Sequence, residues 1–159
     1  MIKKILVSQP APATDKSPYH DIAQNLGVEF TFQPFVKVEG LEAREFRSQK
    51  VNILDHTAIV FNSRNAIEHF FHLCKELRVI LPEDMKYFGI SEKVILYIQK
   101  FVQYRKRKVF FGTSGHWPEL LTVMAKHKTE KYLFPLSEGT SLEIAGQLDQ
   151  KKIKHTECA

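Results

Sequence analysis

Apolar residues recur in short bursts separated by polar stretches, and the bursts alternate between two periods. Lys3 to Ser8 is a β-branched and leucine run closed by Gln9-Pro10, the pattern of a buried first strand that feeds a loop. Ser17 suits a helix N-cap and Pro18 the first helical turn. Ile22, Ala23 and Leu26 then line one face, and Gly27 stands where a left-handed stop belongs. Val28 to Val38 is extended and aromatic-rich, and Pro34 marks it as a strand that passes into a crossover.

Beyond Glu39-Gly40 the alternation is regular. The pattern predicts helix from Leu41 to about Leu54, strand Thr57 to Phe61, helix Arg64 to Arg78, strand Tyr87 to Ile90 and helix Glu92 to Phe101. It continues with strand Lys108 to Phe111, helix Pro118 to about Lys126, strand Tyr132 to Phe134, helix Leu142 to Gln150 and a last strand Ile153 to Cys158. Strand and helix in strict turn imply parallel sheets under helical cover, because a parallel pair needs a long crossover. The clearest helix is capped by Ser63 and carries Ile67, Phe70, Phe71, Cys74 and Leu77 at the spacing of a buried stripe. No repeat or Gly/Ser linker interrupts the chain, so a domain boundary is placed by pattern within Phe35 to Gly40. The last strand reaches Glu157-Cys158-Ala159 without a polar tail, as expected of a chain that stops in mid-element.

With 159 residues, 43% of them hydrophobic, the chain can bury a core without disulfides or a structural metal. No apolar run approaches the roughly 18 residues of a membrane span, and the N-terminal burst is too short for an export signal. Cys74 and Cys158 are too few and too far apart for a disulfide framework or a zinc site, which points to a reducing cytoplasm. The formal charge of +5 favours polyanionic partners, nucleic acid and polycarboxylates alike.

Nucleotide, metalloprotease and hydrolase signatures are absent. His69 and His72 form the one close histidine pair, but they sit between the apolar positions of their helix and no metal is expected. Tyr104 to Lys108 pairs an aromatic with a basic run and could meet phosphates; placed ahead of a strand, it reads better as a solvated loop and edge protection. Polar residues recur instead at strand ends: Ser8-Gln9, Asn62-Ser63-Arg64-Asn65, Ser91, Thr113-Ser114 and Ser137. In open α/β sheets ligands bind at those ends, where hydroxyls and free helix N–H groups converge on negative charge. The same residues also serve as N-caps, worth about 1 kcal/mol each.

Two readings follow from the residues alone. A flavodoxin-like receiver or interaction module would place acidic residues at the first strand end to hold magnesium, where this chain has Ser8-Gln9-Pro10. A nucleic-acid-binding α/β domain would use Tyr104 to Lys108 and bind in a salt-sensitive way.

A third reading comes from likeness. Ile5-Leu6-Val7-Ser8-Gln9-Pro10 resembles the opening I-L-V-T-R-P of uroporphyrinogen-III synthases, and Pro34-Phe35-Val36-Lys37-Val38 resembles their P-L-I-x-I crossover. Ala58-Ile59-Val60-Phe61-Asn62-Ser63-Arg64-Asn65-Ala66-Ile67 is similar to their W-L-I-F-T-S-x-N-A-V, and Tyr87-Phe88-Gly89-Ile90 to their Y-F-A-I-G. The likeness is collinear over essentially the whole chain. Gln9 stands for the usual arginine, Asn62 for a threonine, and Ser91 and Val94 fall where G-x-x-T is typical.

The resemblance implies a two-domain α/β fold of parallel flavodoxin-like sheets flanked by helices. Residues 1–35 would supply a β-α-β part of domain one, left incomplete, 36–155 the whole of domain two, and 156–159 the start of a return linker. Family members are longer, and a tyrosine often implicated in their reaction falls past Ala159. The implied activity is a cyclising hydro-lyase that turns hydroxymethylbilane into uroporphyrinogen III, with inversion of ring D, on the route to haem. It uses no cofactor or metal, and the work lies in holding a flexible octacarboxylate in one shape. Ser8, Ser63, Asn65, Ser91, Thr113 and Ser114 are the expected substrate contacts, as hydrogen-bond partners; no catalytic acid or nucleophile is assigned. The expected protein is cytoplasmic and, at full length, a monomer, with no nucleic-acid or membrane partner.

Overall fold

The computed structural model describes residues 2–136 and 141–158. Packing divides the chain into Met1–Val38 and Glu39–Ala159, whereas the sequence pattern sets the boundary after Phe35.

The smaller unit holds strand β1 (Lys4–Val7), helix α1 (Pro18–Leu26) and strand β2 (Glu29–Phe32). The strands pair in parallel, with Ile5 opposite Phe30 and Val7 opposite Phe32. Ser17 caps α1 by accepting from the Tyr19 N–H at 3.4 Å, and Gly27 ends it at φ 60°, donating to the Ala23 carbonyl. Tyr19 meets the Phe30 and Phe32 rings edge-on at 5.2 and 5.1 Å. Its predicted apolar face is not covered, for no α1 residue is buried, and Ile22 and Leu26 are 40% and 65% exposed.

The larger unit runs through α2 (Ala43–Ser48), β3 (Ala58–Phe61), α3 (Arg64–Glu76), β4 (Lys86–Gly89), α4 (Glu92–Ile95) and β5 (Val109–Phe111). It is completed by α5 (Trp117–Ala125), β6 (Tyr132–Pro135), α6 (Ser141–Gln150) and β7 (His155–Cys158). The strands form one parallel sheet in the order β5-β4-β3-β6-β7, so the winding reverses between β3 and β6. All four residues of β3 are buried, as a central strand under helices on both faces requires. Alternation along it builds two cores. Ile59 and Phe61 join Ile67, Phe70 and Cys74 of α3 and Ile95 of α4, while Ala58 and Val60 join Leu120 and Leu121 of α5 and Leu148 of α6.

Two predicted helices are altered. The one expected over Leu41 to Leu54 stops at Ser48; Lys50 turns left-handed at φ 55°, and Asn52 caps a separate 3₁₀ turn at Ile53–Asp55. The break lets Phe46 and Ile53 enter the same core; a left-handed lysine costs about 1 kcal/mol, less than burying one large side chain returns. The helix expected over Glu92 to Phe101 tightens after Ile95 into a 3₁₀ turn, Leu96–Lys100.

Candidate functional site: the carboxyl edge of the five-stranded sheet

Because all five strands run parallel, the loops that follow β3, β4 and β5 rise at one edge of the sheet. Ser63 leaves β3 in an extended conformation, and its Oγ accepts from the Ala66 N–H at 3.1 Å. Ser91 repeats the arrangement after β4, accepting from the Val94 N–H at 3.3 Å. In both, the helix occupies a lone pair and leaves the hydroxyl proton for an acceptor outside it. The two readings of these serines, helix cap and ligand donor, are therefore compatible. Asn65 is exposed in the first turn of α3.

The loop after β5 comes up beside Ser91. Gly115 sits there at φ 78°, and a Cβ built on it would lie 3.8 Å from the Ser91 Cβ. Thr113 and Ser114 are in this loop, but their donors already have a partner. Glu119 Oε2 accepts from the Thr113 N–H at 2.9 Å, the Thr113 hydroxyl at 2.7 Å and the Ser114 N–H at 2.6 Å. The hydroxyl of Thr113, then the amide of Ser114, hold the Glu119 carboxyl down to about 2, so it is anionic throughout the physiological range. The end of the edge near β5 is closed by the protein's own carboxylate.

One cation of the strand-end group was not among the expected substrate contacts. Arg64, the first residue of α3 and the neighbour of Ser63, holds its guanidinium 5.6 Å over the Tyr97 ring. The Tyr97 hydroxyl donates to Glu68 and receives a hydrogen bond from Lys100 at 2.9 Å, which raises the Lys100 pKa. The signal in the sequence was a basic residue directly after a capping serine at a strand end.

The remaining candidates lie elsewhere. Ser8 is exposed at the carboxyl end of β1, in the smaller unit, and Ser137 lies outside the described residues. His69 packs under Gly40, where a Cβ would come within 2.6 Å of its Nδ1, and His72 faces Glu76 at 3.3 Å. Among the described residues no three His, Cys, Asp or Glu side chains gather as a metal site. Burial pushes the thiols of Cys74 and Cys158 up to about 12, too high for either to act as a thiolate. The basic run 105–108 precedes β5 and so belongs to the opposite, amino-terminal edge. No helix among the described residues is long and apolar enough to cross a membrane.

A mutant uroporphyrinogen III synthase from the extremely thermophilic bacterium Thermus thermophilus has a similar fold, with a TM-score of 0.66 at 13% identity. The alignment covers 99% of this chain and 61% of that one, so the chain spans less than two thirds of the solved structure it matches. No curated protein matches it in sequence. Residues 17–159 match the family model of uroporphyrinogen-III synthase HemD, and the chain belongs to that family.

Proposed function

We propose that this chain is the greater part of an enzyme that closes hydroxymethylbilane into uroporphyrinogen III, with loss of water and inversion of ring D. In this reading residues 1–35 open domain one, 36–155 make up domain two, and 156–159 begin the return toward domain one. What carries the proposal is membership of the family over 17–159, together with an edge on which Ser63 and Ser91 keep a hydroxyl proton to give.

The chemistry asks for little more. The bilane closes unaided, to the wrong isomer, so the protein must chiefly hold eight carboxylates and four pyrroles in one conformation. Hydrogen-bond donors and a cation in fixed positions meet that need without an acid-base pair. Ser8, Ser63, Asn65 and Ser91 act as donors to the substrate, with Arg64 as the neighbouring cation. Thr113 and Ser114 join them where a substrate carboxylate displaces Glu119. The enzyme works in the cytoplasm as a monomer, without cofactor or metal, and nucleic acid is not its substrate.

The test supplies freshly made hydroxymethylbilane to the full-length enzyme and resolves isomers I and III. Isomer III is expected to dominate. Isomer I alone, formed at the uncatalysed rate, would reject the proposal.

A further inference from the structure

The same parallel order that gathers hydroxyls at one edge gathers cations at the other. Every loop that enters a strand of the larger unit lies at its amino-terminal edge, and three of these loops are basic: 105–108 before β5, 126–131 before β6 and 151–154 before β7. Lys106, Arg107, Lys128, Lys151, Lys152 and Lys154 are exposed and make no ion pair among the described residues. Acids at this edge are fewer and mostly engaged: Glu130 by Lys86, Glu83 by Arg105 at 3.6 Å, Asp55 by the Asn52 amide at 3.0 Å and Asp149 beside His155 at 4.0 Å, with Asp84 exposed in the loop before β4. From β5 to β7 is four strand spacings, about 19 Å, so the charge is spread across the full width of the sheet.

Apolar side chains are exposed at the same edge. Leu54, Ile80 and Phe101 are the exposed large hydrophobics of the larger unit among the described residues, at 50%, 87% and 39%. Leu54 and Ile80 stand in the chain segments that lead into β3 and β4 at this edge, whereas Phe101 turns back against α3, its ring stacked on Phe71 at 4.7 Å. The carboxyl edge has none of them. Single apolar tips spaced among lysines match an anionic bilayer surface, where cations meet lipid phosphates and each tip enters the acyl boundary. A nucleic-acid backbone would engage the cations and leave Ile80 without a role. A protein partner would call for a contiguous apolar centre, whereas these tips are on separate loops.

We propose that the amino-terminal edge of the five-stranded sheet is a peripheral docking surface for an anionic lipid bilayer. Docking by this edge leaves the carboxyl edge facing water and free to take an anionic ligand that the bilayer itself would repel. The surface rests on the bilayer and does not span it.

The test is co-sedimentation of the protein with phosphatidylglycerol vesicles and with phosphatidylcholine vesicles at about 0.1 M salt, where the field still reaches about 10 Å. Binding to the first and not the second is expected. Neutralising Lys151 and Lys152 together (Lys151→Gln with Lys152→Gln) should weaken partition about 25-fold, fivefold for each charge. Ile80→Ser, which leaves the charge unchanged, should weaken it measurably as well. Equal binding to both vesicles, or none to either, overturns the proposal. So does an unchanged affinity of Ile80→Ser combined with equally tight binding of a single-stranded oligonucleotide, which would assign the edge to nucleic acid. Production of isomer III is read separately and does not depend on this result.

Discussion

Replacing Ser63 by aspartate is expected to leave the fold intact and to slow formation of isomer III about 100-fold. Aspartate caps helices as well as serine does, so the N–H of Ala66 keeps its acceptor and the stability should stay within about 0.5 kcal/mol of the wild type. At the carboxyl edge the change is drastic. A donor becomes an anion where a substrate carboxylate is to bind, which loses a charge-assisted hydrogen bond and adds like-charge repulsion. Together these amount to about 3 kcal/mol, or a rate about 100-fold lower. Ser63→Ala provides the converse: it removes the cap, at a cost of about 1 kcal/mol of stability, and takes away one neutral donor, so activity falls far less. If Ser63→Asp matched the wild type in both stability and isomer III production, Ser63 would be a cap and nothing more.

A comparable loss, in stability, is expected from Gly89→Ala. Gly89 ends β4 directly beneath α4, and an added Cβ would lie 2.4 Å from the Ile95 Cβ and 3.0 Å from its Cγ1. Ile95 is fully buried, and only Ile90 and Ser91 separate the strand from the helix, so α4 cannot lift without dragging its own cap. Overpacking of this kind costs about 3 kcal/mol, which lowers the urea midpoint by about 1 to 2 M. Trimming Ile95 to alanine should give no rescue, because the clash is with the Cβ that alanine keeps. A Gly89→Ala protein within about 0.5 kcal/mol of the wild type by urea denaturation would show that β4 and α4 are not packed this closely.

The elements were readable because local chemistry and tertiary packing agree along most of this chain. Ser17, Gly27 and Ser63 mark helix limits in the sequence, and in the structure they cap or end the helices they predicted. The stripe on α3 places Ile67, Phe70 and Cys74 in the core as expected. Its other two members, Phe71 and Leu77, are only partly buried, and Leu73, outside the stripe, is buried because the helix touches the sheet over a different arc from the one predicted. What was hidden depended on contacts with no local signature. Lys50 is left-handed because Phe46 and Ile53 share one core, and nothing beside a lysine announces that conformation. Thr113 and Ser114 read as open donors because Glu119, at the third position of α5, reaches back past the cap residue His116 to bind them. A capping-box pattern would have placed its hydroxyl residue at 116.

The two edges show the same limit more broadly. Serines at strand ends are assigned to one face by sequence alone, because a strand end followed by a helix start is a local pattern. The basic and apolar residues of the opposite edge are scattered from Leu54 to Lys154 and come together only through the order β5-β4-β3-β6-β7. Net charge alone placed an attractive field somewhere on the molecule, and topology decides which end carries it.

Uroporphyrin III, the stable oxidised form of the proposed product, carries the same eight carboxylates and can be titrated into isotopically labelled protein while backbone amide resonances are followed. Saturable shifts are predicted at Ser63, Asn65 and Ser91, with residues 126–131 and 151–154 unmoved. Shifts confined to those two basic loops, with Ser63 and Ser91 silent, would place the polycarboxylate on the wrong end of the sheet and contradict the assignment of the carboxyl edge.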